Sequence, residues 1–344
     1  MKKYDLIGIK DAAFKLPCHY ITVDELLREY EHYIQNVREN DLILPKLKTA
    51  DLREIEKVPV FKNEARGMLV IKAIKEILIK NNINSNDISL IIDFSTTSRD
   101  VNGISLCYKV QSEIRADNTL TLSIGNGSCV SFHLALKIAV SMMKEDENIK
   151  YALLFAEDRV VGRRINIPSN VLGDGASAVL LERDNHEAVI GDIQYISIGK
   201  YHDVLGINHW EENNFNVNKF EQYIIPVHYK VILDLTNTVL KRNNLSIKDI
   251  DLVLYQNMCL NDYSGLIGML GIKPCQVFTD GLRGKGHIFG SDLVINYCLA
   301  KEQTLIDRGK NILLISSGAG FSWGVTLVQP FANRHVIFTS HQPN

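Results

Sequence analysis

Apolar residues along the chain fall into two kinds of run. Short runs that alternate with Thr or Ser, or that are almost unbroken Ile, Leu and Val, have the period and composition of strands. Longer runs that repeat every three to four residues have those of helices. On this reading helices are predicted over 23–36, 64–80, 104–115, 130–144, 220–241, 258–270 and 291–306. Strands are predicted over 4–9, 88–94, 120–124, 151–156, 176–182, 188–198, 252–256, 275–278, 311–316 and 323–329, with the polar segment 199–218 as a link. Strands this apolar belong in sheets covered on both faces, so the class is α/β.

The pattern also repeats. Asn81-Asn82-Ile83-Asn84-Ser85-Asn86-Asp87-Ile88 reappears as Asn243-Asn244-Leu245-Ser246-Ile247-Lys248-Asp249-Ile250, an offset of 162. Each copy reads as a helix end, a polar turn and a buried strand. Downstream, Gly127-Ser128-Cys129 before one long helix matches Gly290-Ser291-Asp292 before another at an offset of 163. Two halves, 1–198 and 199–344, are therefore expected to pack as a pseudo-symmetric pair of sheets sandwiching helices. The junctions at Cys129 and at 287–292 should face each other across the middle, and the helix 130–143 should be apolar all round.

Gly125-Asn126-Gly127-Ser128-Cys129 closes one apolar run and opens the longest helical one. Cys129 then stands on the first turn of a helix, where unpaired N–H groups and the positive end of the macrodipole favour a thiolate. That makes it the candidate nucleophile. A small core residue is the competing reading of a lone Cys in an apolar run.

Composition narrows the chemistry. At 344 residues the chain suits two domains or two fused halves. Its net charge of −2 comes from interspersed acids and bases, so nothing points to nucleic acid. Met1 to Lys10 does not resemble a signal peptide, and no apolar run approaches a membrane span, which leads us to expect a cytoplasmic protein with no membrane partner. Six scattered cysteines without a C-x-x-C pair, and ten dispersed histidines, suggest reduced thiols and no metal site.

Four glycine-rich stretches bear on the chemistry. Gly284-Lys285-Gly286-His287-Ile288-Phe289-Gly290 misses the dinucleotide fingerprint by one residue, which leaves His287 as its interesting member. Gly320-Phe321-Ser322-Trp323-Gly324 has the G-x-S-x-G spacing, yet a strand follows it where a nucleophile elbow needs a helix, so Ser322 is set aside. Gly318-Ala319-Gly320 is a small-residue turn able to aim N–H groups at an oxyanion. Gly173-Asp174-Gly175-Ala176 reads as a turn entering a packed strand. The nearby Arg159, Arg163 and Arg164 form either a solvated loop or a holder for the phosphates of a carrier.

Taken together, 125–130, 173–182 and 318–324 resemble the nucleophile junction, the G-D-G-A-x-A-V strand and the C-terminal glycine turn of the thiolase superfamily, in its ketoacyl-ACP synthase III branch. The resemblance covers essentially the whole chain. It implies a dimeric five-layered αβαβα sandwich and a ping-pong mechanism in which Cys129 takes an acyl group from a CoA or acyl carrier protein thioester. The thioester serves as substrate, and no cofactor is permanently bound. By the same match the backbone N–H groups of Cys129 and Ala319 would hold the oxyanion, with Gly318, Gly320 and Asn257 on the substrate side. Arg163 and Arg164 would take the carrier phosphates, and Gly103 would lengthen the acyl tunnel.

The departures from the branch bear on the reaction. Condensing members carry a His and an Asn that stabilise an enolate; at those places this chain has Gln256 and His287. Members with a similar G-H-x-x-G-x-D stretch transfer acyl groups without extending the chain. The expected function is thus an acyltransferase of specialised metabolism, with Cys129 as nucleophile and His287 as general base for a small acceptor. Gln256 would be a hydrogen-bond donor, and Asp292 would either orient the imidazole or cap its helix. A condensing enzyme and a non-catalytic partner subunit are the alternatives, and the dimer could be of like or unlike chains.

Overall fold

The computed structural model of the protein describes residues 6–34, 52–97, 104–125, 127–162, 164–166, 170–184, 187–201, 224–307, 309–319 and 321–330. In chain order the first half holds β1 (Ile7–Lys15), β2 (His19–Thr22), α1 (Val23–Ile34), β3 (Lys57–Val60), α2 (Met68–Lys80), β4 (Ile88–Asp93), α3 (Leu106–Ile114), β5 (Leu120–Ser123) and α4 (Ser131–Glu145). It continues with β6 (Tyr151–Asp158), β7 (Ile165–Asn166), β8 (Asn170–Val171) and β9 (Gly175–Arg183). Next come β10 (Ala188–Ser197), α5 (Ile225–Arg242), β11 (Leu252–Tyr255), α6 (Leu260–Leu270), β12 (Val277–Phe278), α7 (Ser291–Glu302), β13 (Ile312–Gly318) and β14 (Ser322–Pro330).

All seven predicted helices are present, with shifted ends. The second starts at Met68 because Gly67, in the left-handed region at φ 82, precedes it. The antiparallel pair β2–β3 and the short pair β7–β8 have no counterpart among the predicted strands.

The alternation of side chains along the strands reveals the layers. In β4, Leu90 and Ile92 join a central core while Ile91 between them joins an outer one; in β13, Ile312 and Leu314 face the centre and Leu313 and Ile315 face out. The central core is filled by α4 and α7 through Phe132, Leu136, Leu293 and Val294. One outer core is covered by α2 and α3 through Val70, Ile74 and Val110, and the other by α5 and α6 through Ile232 and Leu266. Helix, sheet, helix, sheet, helix gives the expected five layers.

The expected pair of sheets is instead one ten-stranded sheet, ordered β12-β11-β13-β14-β10-β1-β9-β6-β4-β5. Its two five-stranded sets meet where β1 and β10 pair antiparallel through Gly8 with Val189 and Ile9 with Ala188. β10 lies ahead of residue 199 in the chain but pairs mainly with β14, and so sits in the second set. Beside this seam both strands shift register, between Ile9 and Asp11 and between Ile190 and Ile193, and such bulges bend a strand. The sheet can therefore fold over the two central helices.

The repeat has a structural basis. The side chains of Asn81 and Asn243 donate to the carbonyls of Ile77 and Val239, the next residues Asn82 and Asn244 have φ 51 and 53, and a 3-10 turn leads each chain into its strand. At the central helices the register differs from the expected 163: the left-handed residues before them are Ser128 and Phe289, so Cys129 corresponds to Gly290 and not to Asp292. Helix α4 also exposes Lys137 and Ser141, whereas α7 is buried without a break from Ser291 to Cys298. The all-round buried helix is thus α7, in which Ser291, Asp292 and the Asn296 Nδ2 have hydrogen-bond partners inside the protein.

Candidate active site

The turn that carries Cys129 lies between β5 and α4, against the end of β13. Gly127 has an ordinary helical backbone, and the sharp turn falls on Ser128 at φ 52, a conformation side chains usually avoid. Cys129 follows in a short 3-10 turn that feeds α4, and its carbonyl accepts from the Ser316 hydroxyl of β13 at 3.3 Å. The end of β13 comes so close that a Cβ on Gly318 would lie 2.6 Å from the Gly127 carbonyl oxygen and 3.2 Å from the Cys129 nitrogen. Only glycine fits there. Ala319 is next in the chain, exposed at the tip of the turn into β14.

His287 arrives from the other half. Its N–H donates to the Val171 carbonyl at 2.8 Å, and its own carbonyl accepts from the Gly173 N–H at 3.0 Å. Glycines permit this approach too, since a Cβ on Gly173 would sit 2.3 Å from the Lys285 carbonyl oxygen. The ring is 3% exposed, with Nε2 3.0 Å from Cys129 Sγ and Nδ1 2.5 Å from Asp292 Oδ2. Asp292 is buried on the first turn of α7 and accepts further from the N–H groups of Ile288 at 2.6 Å and Asn257 at 2.7 Å. The carboxylate thus faces the imidazole and also accepts from the main chain at the helix start.

Burial alone would disfavour a charged ring. The Cys129 sulfur on one side and the Asp292 carboxylate on the other outweigh it, and hold the His287 pKa well above the ordinary histidine value. A cysteine, an imidazole and a carboxylate in this order can serve as a nucleophile, a proton carrier and an orienting group.

The comparisons with known proteins agree with the geometry. Residues 125–199 match the family model of 3-oxoacyl-[acyl-carrier-protein (ACP)] synthase III, and residues 240–329 match that of its C-terminal part. A beta-ketoacyl-[acyl-carrier-protein] synthase III of Clostridium perfringens is 26% identical over 316 residues, which cover 86% of this chain and 95% of the relative. Among solved structures, 3-oxoacyl-[acyl-carrier-protein] synthase III from Aquifex aeolicus VF5 superposes with a TM-score of 0.78 at 20% identity, over 94% of this chain and 99% of that one. ChlB3, described as an acyltransferase, superposes with a TM-score of 0.81 at 17% identity, over 95% of this chain and 98% of that one. The chain is a ketoacyl-ACP synthase III-like protein of the thiolase superfamily.

Within this synthase III-like frame the other predicted residues divide. Gln256, at the end of β11, is buried, but its amide is engaged with Ser317: Oε1 accepts from the Ser317 N–H at 2.9 Å and Nε2 donates to the hydroxyl at 2.8 Å. It braces the strand that ends in Gly318. Asn257, expected on the substrate side, is fully buried, and its amide donates to the carbonyls of Gly281 and Gly286. Arg164, expected to hold phosphates, closes a two-pronged pair on the buried Asp174 at 2.9 Å through each nitrogen, so its fork is already occupied. Asp174 also accepts from the N–H groups of Phe61 and Val160, fixing the strand beside His287. Arg159 pairs with Glu157 and lies over the Phe61 ring. Gly103, Arg163 and Gly320 lie outside the described residues.

Sequence reasoning passed over Asn296 and Ser317. Asn296 could have been found, since Asp292 and Asn296 are four apart on an otherwise apolar helix and so share one face. Among the described residues no cluster of His, Cys, Asp and Glu could hold a metal ion, and no helix is long and apolar enough to cross a membrane.

Proposed function

We propose that the protein is an acyltransferase that loads an acyl group from a CoA or carrier-protein thioester onto Cys129 and passes it to the hydroxyl or amine of a small acceptor. The observation that carries this reading is the line Cys129 Sγ, His287 Nε2, His287 Nδ1, Asp292 Oδ2, with contacts of 3.0 and 2.5 Å. A condensing site needs two donors aimed at an enolate. Here the second position is Gln256, whose amide is tied to Ser317.

With the shared proton on His287, the Cys129 sulfur attacks the thioester carbonyl, and the carbon–sulfur bond to the carrier breaks. The ring proton goes to the leaving thiolate, giving free thiol, acyl-Cys129 and a neutral imidazole. Acylation removes the negative sulfur, one of the causes that held the proton on the ring. Neutral Nε2 then takes the proton of the acceptor as its oxygen or nitrogen attacks the acyl carbon, and Cys129 leaves as thiolate beside the imidazolium. The backbone N–H groups of Cys129 and Ala319 are the oxyanion donors in this scheme. A cytoplasmic homodimer acting in specialised metabolism is the setting we propose; the free thiols among the described cysteines suit a reducing compartment.

The name of the Clostridium perfringens relative supports a second reading, carbon–carbon bond formation with a malonyl thioester. Intact-mass and product analysis with acyl-CoA, a malonyl thioester and a panel of alcohols and amines separates the two. Transfer predicts an acyl adduct on wild type, none on Cys129→Ala, and an ester or amide product; a product two carbons longer would establish condensation. Equal labelling of Cys129→Ala would remove Cys129 from either mechanism.

A further inference from the structure

The Asp292–His287 pair is held by a second pair of buried side chains that do not touch the sulfur. Asn257 follows Gln256 at the end of β11. Its main-chain N–H donates to Asp292 Oδ2 at 2.7 Å, and its Nδ2 lies 3.0 Å from the Gly281 carbonyl oxygen, 2.9 Å from that of Gly286 and 3.3 Å from Asp292 Oδ1. Those two carbonyls bracket the loop that delivers His287. One amide therefore fixes the carboxylate and both ends of the loop carrying the ring that the carboxylate orients.

The amide is itself held in one orientation. Asn296, on α7 one turn beyond Asp292, donates through Nδ2 to Asn257 Oδ1 at 3.0 Å and to the Tyr255 carbonyl at 2.8 Å. Two acceptors face that nitrogen, so turning the Asn296 amide over would set oxygen against oxygen, and the same holds for Asn257 before the Gly281 and Gly286 carbonyls. Space is equally constrained: a Cβ on Gly281 would fall 1.6 Å from Asn296 Oδ1.

We infer that Asn257, braced by Asn296, is a positioning residue that sets the distance and angle of the His287 ring to Cys129 through Asp292 and the 281–286 loop. Its hydrogen bonds go to Asp292, the loop carbonyls and Asn296, and none goes to Cys129 or to the His287 ring. The inference rests on the pairing of Cys129 with His287 proposed above. The charged and titratable groups that face this array are Cys129 from the α4 turn, Asp292 from α7 and Tyr263 from α6, and the substitutions below leave all of them in place.

The test follows the His287 proton by NMR in histidine-labelled full-length protein, with His287→Gln identifying the resonance and thermal unfolding recorded in parallel. Wild type should titrate above the ordinary histidine range. Asn257→Ser, which loosens Asp292 from the ring, should lower the midpoint by roughly one pH unit, and it should slow alkylation of Cys129 by iodoacetamide at neutral pH. Asn296→Ser keeps every Asn257 bond to Asp292 and the loop, and should shift the midpoint in the same direction by less; it carries the test if Asn257→Ser fails to fold. A wild-type midpoint in either folded variant, with only a lower melting temperature, overturns the inference and makes the pair merely structural. An ordinary midpoint in wild type would overturn the Cys129–His287 pairing itself.

Discussion

His287 is the residue on which both halves converge, and its proton is the quantity to measure. Asp292→Asn removes a carboxylate that raises the His287 pKa and offers the ring a side chain that is half donor. Acyl-transfer turnover should fall by about a thousandfold or more, on the scale seen when the orienting acid of a catalytic triad is made an amide. Steady-state rates of wild type and variant would show it; a loss under tenfold would mean that Asp292 only shapes the helix start. The linkage sign follows from the raised value. Charged His287 stabilises the fold fully below the ordinary histidine pKa of 6.5, and that contribution is lost as pH rises through the raised one. Asp292→Asn should therefore lose stability relative to wild type most clearly at and below neutral pH, as denaturant titrations at several pH values would show. Cys129 and His287 were legible as candidates because each stands in a glycine-rich junction. The part Asn257 plays was not, since an asparagine beside a predicted site looks the same whether it meets a ligand or a neighbouring loop.

Elements bring these residues together by close backbone approaches. The end of β13 lies against the nucleophile turn with no room for a side chain at Gly318. Gly318→Ala must push apart the Gly127 carbonyl and the Cys129 N–H, and we expect roughly a hundredfold to thousandfold slower acyl loading, the range for losing one oxyanion donor. Stopped acyl-loading reactions read by intact mass would check it, and near wild-type rates would remove this turn from the mechanism. The pattern of runs predicted these elements well because a doubly covered strand and an amphipathic helix have different periods. It could not show that Ser128, not a glycine, takes the left-handed turn, nor that the central helices correspond with Cys129 opposite Gly290. Such choices depend on what packs against the turn, and that contact comes from residues far away in the chain.

Across the whole molecule, the pseudo-symmetric seam is tied by matching polar links. Asp11, beside the β1 bulge, meets Lys80 at the end of α2 at 2.8 Å and Lys301 at the end of α7 at 3.4 Å; Asp192 of β10 meets Arg242 at the end of α5 at 3.4 Å. Burial opposes the charge of Asp11, but hydrogen bonds from Lys80 and Asn81 and the charge of Lys301 prevail and hold its pKa below the ordinary 3.8. A lowered carboxyl stabilises the fold above the ordinary value and loses that contribution as pH falls through the folded one. Asp11→Asn should thus cost about 1 kcal/mol at neutral pH, a figure kept small because both lysines are partly in solvent. The gap from wild type should close below pH 3.8 in acid denaturation; a gap that persists there would assign the loss to packing. The sequence by itself determined the element types, the doubled plan and the class of fold, and it singled out Cys129 as the candidate nucleophile, because periodicity, repetition and a residue's place at a junction are properties of order along a chain. Only the tertiary structure decided that the two sheets are one, that the arginine at 164 is already paired, and that Gln256 braces a strand, because a side chain's partner is fixed by which distant backbone comes within hydrogen-bonding reach.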